Sequence, residues 1–213
     1  MPRTVIFANG CLPHLESARA LLRPDDRLIA ADGGARHLLA MGRLPYLLVG
    51  DLDSVDAALL AHLETAGVEI HRYRTDKDET DLELALRHAL EGGADSILIV
   101  GALGGRLDQT LANLSLLTDP KFAGLDLRLD DGAEEAFFCR RQAEVRGRSG
   151  EVVSLIPWGG PVEGVVTEGL QWKLSGETLY AHKARGVSNR MVGEAACVEI
   201  WSGLLLIVHR RDV

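Results

Sequence analysis

No apolar run in this chain approaches the roughly 18 consecutive residues that a membrane-spanning helix needs, so no membrane segment is expected. The first apolar run, Val5 to Ala8, is also too short for the core of a signal peptide. Cysteine is scarce. Cys11, Cys139 and Cys197 are odd in number and far apart, with no CxxC pair. That excludes a disulfide framework and points to a reducing, cytoplasmic compartment. The histidines show no HxxxH or HExxH spacing, which argues against zinc chemistry. No GxSxG is present, and Cys11 and Cys139 have no evident partner, so a covalent nucleophile has little support. The phosphate loops GxxxxGK[ST] and GxGxxG are missing too. Positive charge is in deficit, 23 Lys and Arg against 31 Asp and Glu, for a net charge of −8. Non-specific nucleic-acid binding is therefore not expected. A nucleotide remains compatible, because a metal ion reverses the local charge of a site.

What the chain does have is acid in four short clusters, each downstream of an apolar run. They are Ala31-Asp32-Gly33-Gly34, Gly50-Asp51-Leu52-Asp53-Ser54, Asp76-Lys77-Asp78-Glu79-Thr80-Asp81 and Gly104-Gly105-Arg106-Leu107-Asp108. Thr4–Ala8, Arg27–Ala31, Tyr46–Val49, Val68–Tyr73 and Ser96–Val100 have the apolar, β-branched composition of buried strands. Helical spacing lies between them: Leu82, Ala85, Leu86 and Ala89 recur on one face, as do Leu107, Leu111, Leu114 and Leu117. Alternation of this kind predicts an α/β domain with a mostly parallel sheet. All four clusters then emerge at its carboxyl edge, where open α/β sheets bind ligands.

Past about residue 140 the pattern changes. Glu151–Ile156, Gly164–Thr167, Leu170–Leu174, Thr178–Tyr180, Ala196–Trp201 and Leu204–His209 are strand candidates separated by Gly, Pro, Ser and Asn. An antiparallel β-sandwich or barrel is expected there, with domains over 1–140 and 141–213.

Seven aspartates at one sheet edge would repel one another unless a cation neutralised them, which suggests Mg²⁺ and a polyphosphate. Each acid also has a plainer reading. Asp53 or Ser54 could cap the helix bearing Ala57, Thr80-Asp81-Leu82-Glu83 fits a capping box, Asp108 could cap the next helix, and Asp32-Gly33-Gly34 could be a tight turn. A cap needs one acid or hydroxyl, however, and Asp51/Asp53 and Asp76/Asp78/Asp81 supply more. Arg106 after its glycines can fork onto phosphate oxygens or sit at the surface. Lys77 is a phosphate contact or a charge-balancing partner, and Trp172 a core aromatic or a stacking platform.

In this order the clusters closely resemble those of thiamin pyrophosphokinases. The resemblance resumes at Ser154-Leu155-Ile156-Pro157, Thr167-Glu168-Gly169-Leu170-Gln171-Trp172-Lys173-Leu174 and Gly186-Val187-Ser188-Asn189, and covers roughly residues 25–210. It implies a catalytic α/β domain, a β-sandwich that helps bind thiamin, and a homodimer with shared active sites. It also implies Mg²⁺-dependent transfer of the pyrophosphoryl group of ATP to the thiamin hydroxyl, releasing AMP. By motif match, Asp51, Asp53 and Asp81 look like metal-site acids that with Arg106 form the catalytic set. Asp32, Thr80 and Asp108 look like polyphosphate-side groups, and Trp172, Ser188 and Asn189 like thiamin-side groups; Lys77, lying among the acids, is counted with the substrate-binding residues on its charge alone. Many relatives have Gln at Lys77 and His at Gln109, and Arg190-Met191-Val192-Gly193 also departs from the family pattern. The competing readings are a diphosphokinase acting on a hydroxymethyl-pterin and a catalytically silent thiamin- or nucleotide-binding regulator.

Overall fold

The computed structural model describes residues 3–212. The chain divides after Gly132 into two compact units. In the first, β1 (Thr4–Phe7), α1 (Leu15–Ala20), β2 (Arg27–Ala31), α2 (Ala35–Ala40), β3 (Leu47–Gly50), α3 (Ala57–Thr65), β4 (Glu69–Arg72), α4 (Asp81–Glu91), β5 (Ser96–Val100), α5 (Leu107–Leu116) and β6 (Asp126–Asp130) follow in order. The strands pair in parallel as β6-β5-β1-β2-β3-β4. Val5 lies beside Leu28 and Leu98 in that register. On one face Val5, Phe7, Leu48 and Leu98 pack with Ala18, Leu38, Leu59 and Leu63 of α1–α3, and α4 packs on β1–β3. Ile6, Ile29, Ile97 and Ile99 are also fully buried. Strands covered on both faces read as continuous apolar runs, which is why these were legible. Burying each such side chain contributes about 1.5–3 kcal/mol.

Strand β6, Asp-Leu-Arg-Leu-Asp, was not expected; its Leu127 and Leu129 are buried between polar neighbours. In α5 the apolar stripe is covered only over its second half. Leu114 and Leu117 are buried, while Leu107 and Leu111 are exposed. Helix α3 is capped by Asp56, whose carboxylate accepts from the Leu59 N–H at 2.8 Å, so neither Asp53 nor Ser54 has that task. Thr80 does cap α4, its Oγ1 accepting from the Glu83 N–H at 3.2 Å.

The second unit contains β7 (Glu134–Cys139), β8 (Gln142–Arg146), β9 (Val152–Pro157), β10 (Val162–Glu168), β11 (Ser175–Leu179), β12 (Asn189–Arg190), β13 (Ala195–Glu199) and β14 (Leu205–Arg210). Two antiparallel sheets, β12-β9-β14-β7 and β11-β10-β13-β8, enclose a core of Val153, Leu155, Val162, Val165, Val198 and Ile207. This is the expected sandwich, and no α-helix occurs among its described residues. The segment Leu170–Leu174 is not a strand. Leu170 and Leu174 are buried, but Leu170 makes only one bridge, to Met191. Between them the chain turns, tied by Asn189 to both backbone groups of Trp172 and by Thr167 Oγ1 to the Leu174 N–H.

Candidate active site

At the carboxyl edge of the parallel sheet a cavity of about 630 Å³ opens in the first unit. The segments after β1, β2, β3 and β5 and before α4 line it, among them Asn9, Asp32, Asp51, Asp53, Lys77, Thr80, Asp81, Gly104 and Arg106. Local backbone geometry brings the acids together. Asp32 follows β2 with φ 47° and opens a single 3-10 turn, Asp32–Gly34. A side chain on Gly34 would collide with the Phe7 carbonyl oxygen. At the end of β3, a Cβ on Gly50 would lie 3.1 Å from Asp32 Cβ and 3.2 Å from Asp81 Cγ. Glycine at 50 is what allows these two acidic segments to approach. Leu52, buried with φ 65°, then separates Asp51 from Asp53; a non-glycine residue in the left-handed region is a strained arrangement that marks functional loops.

Asp32, Asp51 and Asp53 each contribute one carboxylate oxygen to a set lying within 4.8 Å of one another. Oxygen ligands of an octahedral Mg²⁺ are about 3.0 Å apart when adjacent and about 4.2 Å when opposite, so this group of hard donors can close onto a small divalent cation. Hydrogen bonds orient it. Asp32 accepts from the Ser54 N–H and from Asn9 Nδ2, each at 3.4 Å. Asp51 accepts from the Asp53 N–H at 3.2 Å, and Asp53 from Ser54 Oγ at 3.0 Å.

Asp81 lines the same cavity but is not one of those three. Its Oδ1 is buried without a hydrogen bond, and its partner is ionic: Lys77 Nζ at 3.0 Å, with Asp51 Oδ2 3.7 Å from the same ammonium. Burial raises the Asp81 carboxyl above the ordinary range; Lys77 opposes the shift, and Asp51 and Asp32 add to it. Burial disfavours the Lys77 ammonium, but its two carboxylates outweigh that and raise it above the usual lysine value.

Arg106 lines the cavity and is forked onto Asp108 at 3.1 and 2.5 Å, both side chains exposed. That hydrogen bonding lowers the Asp108 carboxyl. Asp108 does not cap α5; it turns back to Arg106 and to the Gln109 N–H. Nor do all seven aspartates converge. Asp32, Asp51, Asp53 and Asp81 line the cavity, whereas Asp76 is exposed and forked by Arg74, and Asp78 is exposed and not among the lining residues.

Sequence reasoning missed Asn9, Cys11 and Asn113 on the cavity, and His37 behind it. Asn113 Nδ2 donates to the Ala102 carbonyl at 2.9 Å and anchors the glycine loop. His37 Nε2 lies 2.9 Å from the Gly10 carbonyl, and burial lowers its pKa, so the neutral ring donates there. The only signal was a polar residue directly after the run Thr4–Ala8.

The three remaining expected residues lie in the second unit. Trp172 is 55% exposed and therefore not a core aromatic. Beside it is a cavity of about 240 Å³, lined also by Lys173, Arg185, Val187 and Asn189. Asn189 is buried, its carboxamide bonded to the Trp172 N–H at 3.0 Å and carbonyl at 2.7 Å. Ser188 is exposed with φ 60°, and its N–H donates to Ser154 Oγ at 3.0 Å.

Comparison with known proteins points to one family. Residues 18–129 match the family described as thiamin pyrophosphokinase, catalytic domain, and residues 140–205 match thiamin pyrophosphokinase, vitamin B1 binding domain. The chain is 28% identical over 186 residues to thiamine pyrophosphokinase of Bacillus subtilis, covering 86% of this chain and 87% of the relative. It is 32% identical over 170 residues to thiamine pyrophosphokinase 1 of Arabidopsis thaliana, covering 76% and 64% respectively. The crystal structure of the Bacillus subtilis thiamine pyrophosphokinase superposes with a TM-score of 0.89 at 25% identity, over 99% of this chain and 100% of that one.

Proposed function

The chain belongs to the thiamin pyrophosphokinase family, and on that premise we propose how its own residues transfer the pyrophosphoryl group of ATP to the hydroxyl of thiamin, giving thiamin diphosphate and AMP. It is an ATP-dependent diphosphotransferase. The reading of its site rests on one observation, the gathering of Asp32, Asp51 and Asp53 oxygens on a cavity that also holds a glycine loop and Arg106.

These three acids would hold Mg²⁺, which when bound neutralises phosphate charge. Around them the protein's work is positioning, since phosphoryl transfer needs little covalent chemistry from side chains. Asp81, with its raised pKa, orients the thiamin hydroxyl and accepts its proton. Lys77 holds Asp81 against Asp51, and Thr80 fixes Asp81 in the first turn of α4. Arg106, presented by Asp108, turns to the phosphates and offsets charge on the leaving oxygen. Trp172 stacks on the cationic thiamin ring, Asn189 keeps the Trp172 backbone in place, and Ser188 lies beside it. Exposed Trp172, Tyr180, Val187 and Trp201 support a homodimer with shared sites, and three free cysteines support a cytoplasmic location.

Every relative reported above is a thiamin pyrophosphokinase, so thiamin is favoured over a pterin acceptor, and an enzyme over a silent regulator. The test is incubation with ATP, Mg²⁺ and thiamin. AMP and thiamin diphosphate are expected in equal amounts; ADP with thiamin monophosphate, or no product, would contradict the assignment.

A further inference from the structure

Away from the acidic cavity, β4 and α4 bring two imidazoles together edge-on. His71 Nδ1 and His88 Nε2 are 3.4 Å apart, with the rings inclined at 70°. The outer nitrogen of each ring faces a carboxylate: His71 Nε2 is 2.6 Å from Glu69 Oε1, and His88 Nδ1 is 3.8 Å from Glu91 Oε2. Glu69 draws the His71 N–H to the outer nitrogen and leaves Nδ1 as a lone pair, and the Tyr73 hydroxyl beside His88 Nε2 makes that nitrogen an acceptor too. Tyr73 Oη lies 2.9 Å from His88 Nε2 and accepts from Arg87 Nη2 at 3.3 Å, so its proton is directed to His88. One proton thus serves two opposed lone pairs. Burial and the neighbouring His71 lower the His88 pKa, which keeps that ring neutral.

We propose that His71 and His88 form a binding site for a zinc-class divalent metal, separate from the aspartate trio. Two nitrogens on a tetrahedral Zn²⁺ at 2.0–2.1 Å stand about 3.3–3.4 Å apart, the separation found here. Glu69 orients His71 from behind, as carboxylates do in histidine–zinc sites. The Tyr73 hydroxyl yields the His88 Nε2 lone pair to the metal, and water completes the coordination. Zn²⁺ there would pin edge strand β4 to α4, below the connection that carries Lys77 and Thr80.

The test is equilibrium dialysis of the whole chain against Zn²⁺ in excess Mg²⁺, which occupies the oxygen site and leaves imidazoles alone. One Zn²⁺ per chain is expected, with a raised Tm. His71→Gln and His88→Gln should each abolish this binding while turnover with Mg²⁺ and ATP is kept. Glu69→Gln, which leaves both ligands in place, should weaken it about tenfold or more. Asp51→Asn should leave it unchanged. Zn²⁺ retained by both histidine variants, lost in Asp51→Asn, or absent below millimolar concentrations would overturn the proposal; the last would mean that the pair shares only a proton.

Discussion

Replacing Lys77 with Met removes the cation lodged between Asp51 and Asp81 and leaves a methylene stem of similar length. The ammonium lies 3.0 Å from one carboxylate and 3.7 Å from the other. At an effective permittivity near 20 those contacts are about 5.5 and 4.5 kcal/mol in gross Coulomb terms. Desolvation and side-chain ordering offset most of that. The three side chains are 13%, 25% and 11% exposed, between the fully buried and the surface case. The net loss in metal-free protein should be about 1–3 kcal/mol. For a chain of this size that lowers Tm by roughly 3–10 °C. The deficit should shrink when Mg²⁺ is added, because a divalent ion then offsets the same acids. Since the Lys77 pKa is raised, its contribution is complete at neutral pH and fades only as alkaline pH removes the proton. Thermal unfolding in chelator and in Mg²⁺, for both proteins, reads all of this. Equal Tm values in chelator, or a deficit that Mg²⁺ does not change, would refute the reasoning.

Asp51→Asn should cut turnover by about 10²-fold or more with the fold intact, measured by AMP release at saturating Mg²⁺. Trp172→Leu should raise the KM for thiamin by roughly 5–30-fold, the equivalent of about 1–2 kcal/mol of cation–π contact, without changing the KM for ATP in steady-state assays. Thiol titration should separate the cysteines. Exposed Cys11, on the cavity, should react readily and be protected by MgATP, whereas buried Cys139, its thiol pushed up to about 11 by desolvation, should react only on unfolding.

Strands β1, β2, β3 and β5 were legible because a parallel strand covered on both faces needs an unbroken apolar run, and Thr4–Phe7 and Ser96–Val100 are such runs. β6, β7 and β8 were not, because one buried face needs only alternate apolar residues. In Gln142–Arg146 only Val145 is buried, and Glu134–Cys139 buries even Glu135. Leu170–Leu174 misled for the opposite reason: its apolar ends are buried by a turn that side-chain hydrogen bonds hold, a tertiary feature without periodicity. At the site, the residue types were readable, since clustered acids after apolar runs say what chemistry is available. Which acids gather within reach of one another was not. That depends on Gly50 admitting Asp32 and Asp81 and on the left-handed turn at Leu52. Asn9 and Asn113, single amides near the ends of apolar segments, carry no distinguishing pattern.

The most direct measurement is anomalous diffraction from crystals grown with Mn²⁺ and a non-hydrolysable ATP analogue. The account requires the metal peak to lie within bonding distance of Asp32, Asp51 and Asp53 carboxylate oxygens, with analogue phosphate against it. A peak bound elsewhere, or an analogue seated away from these three side chains, would contradict it.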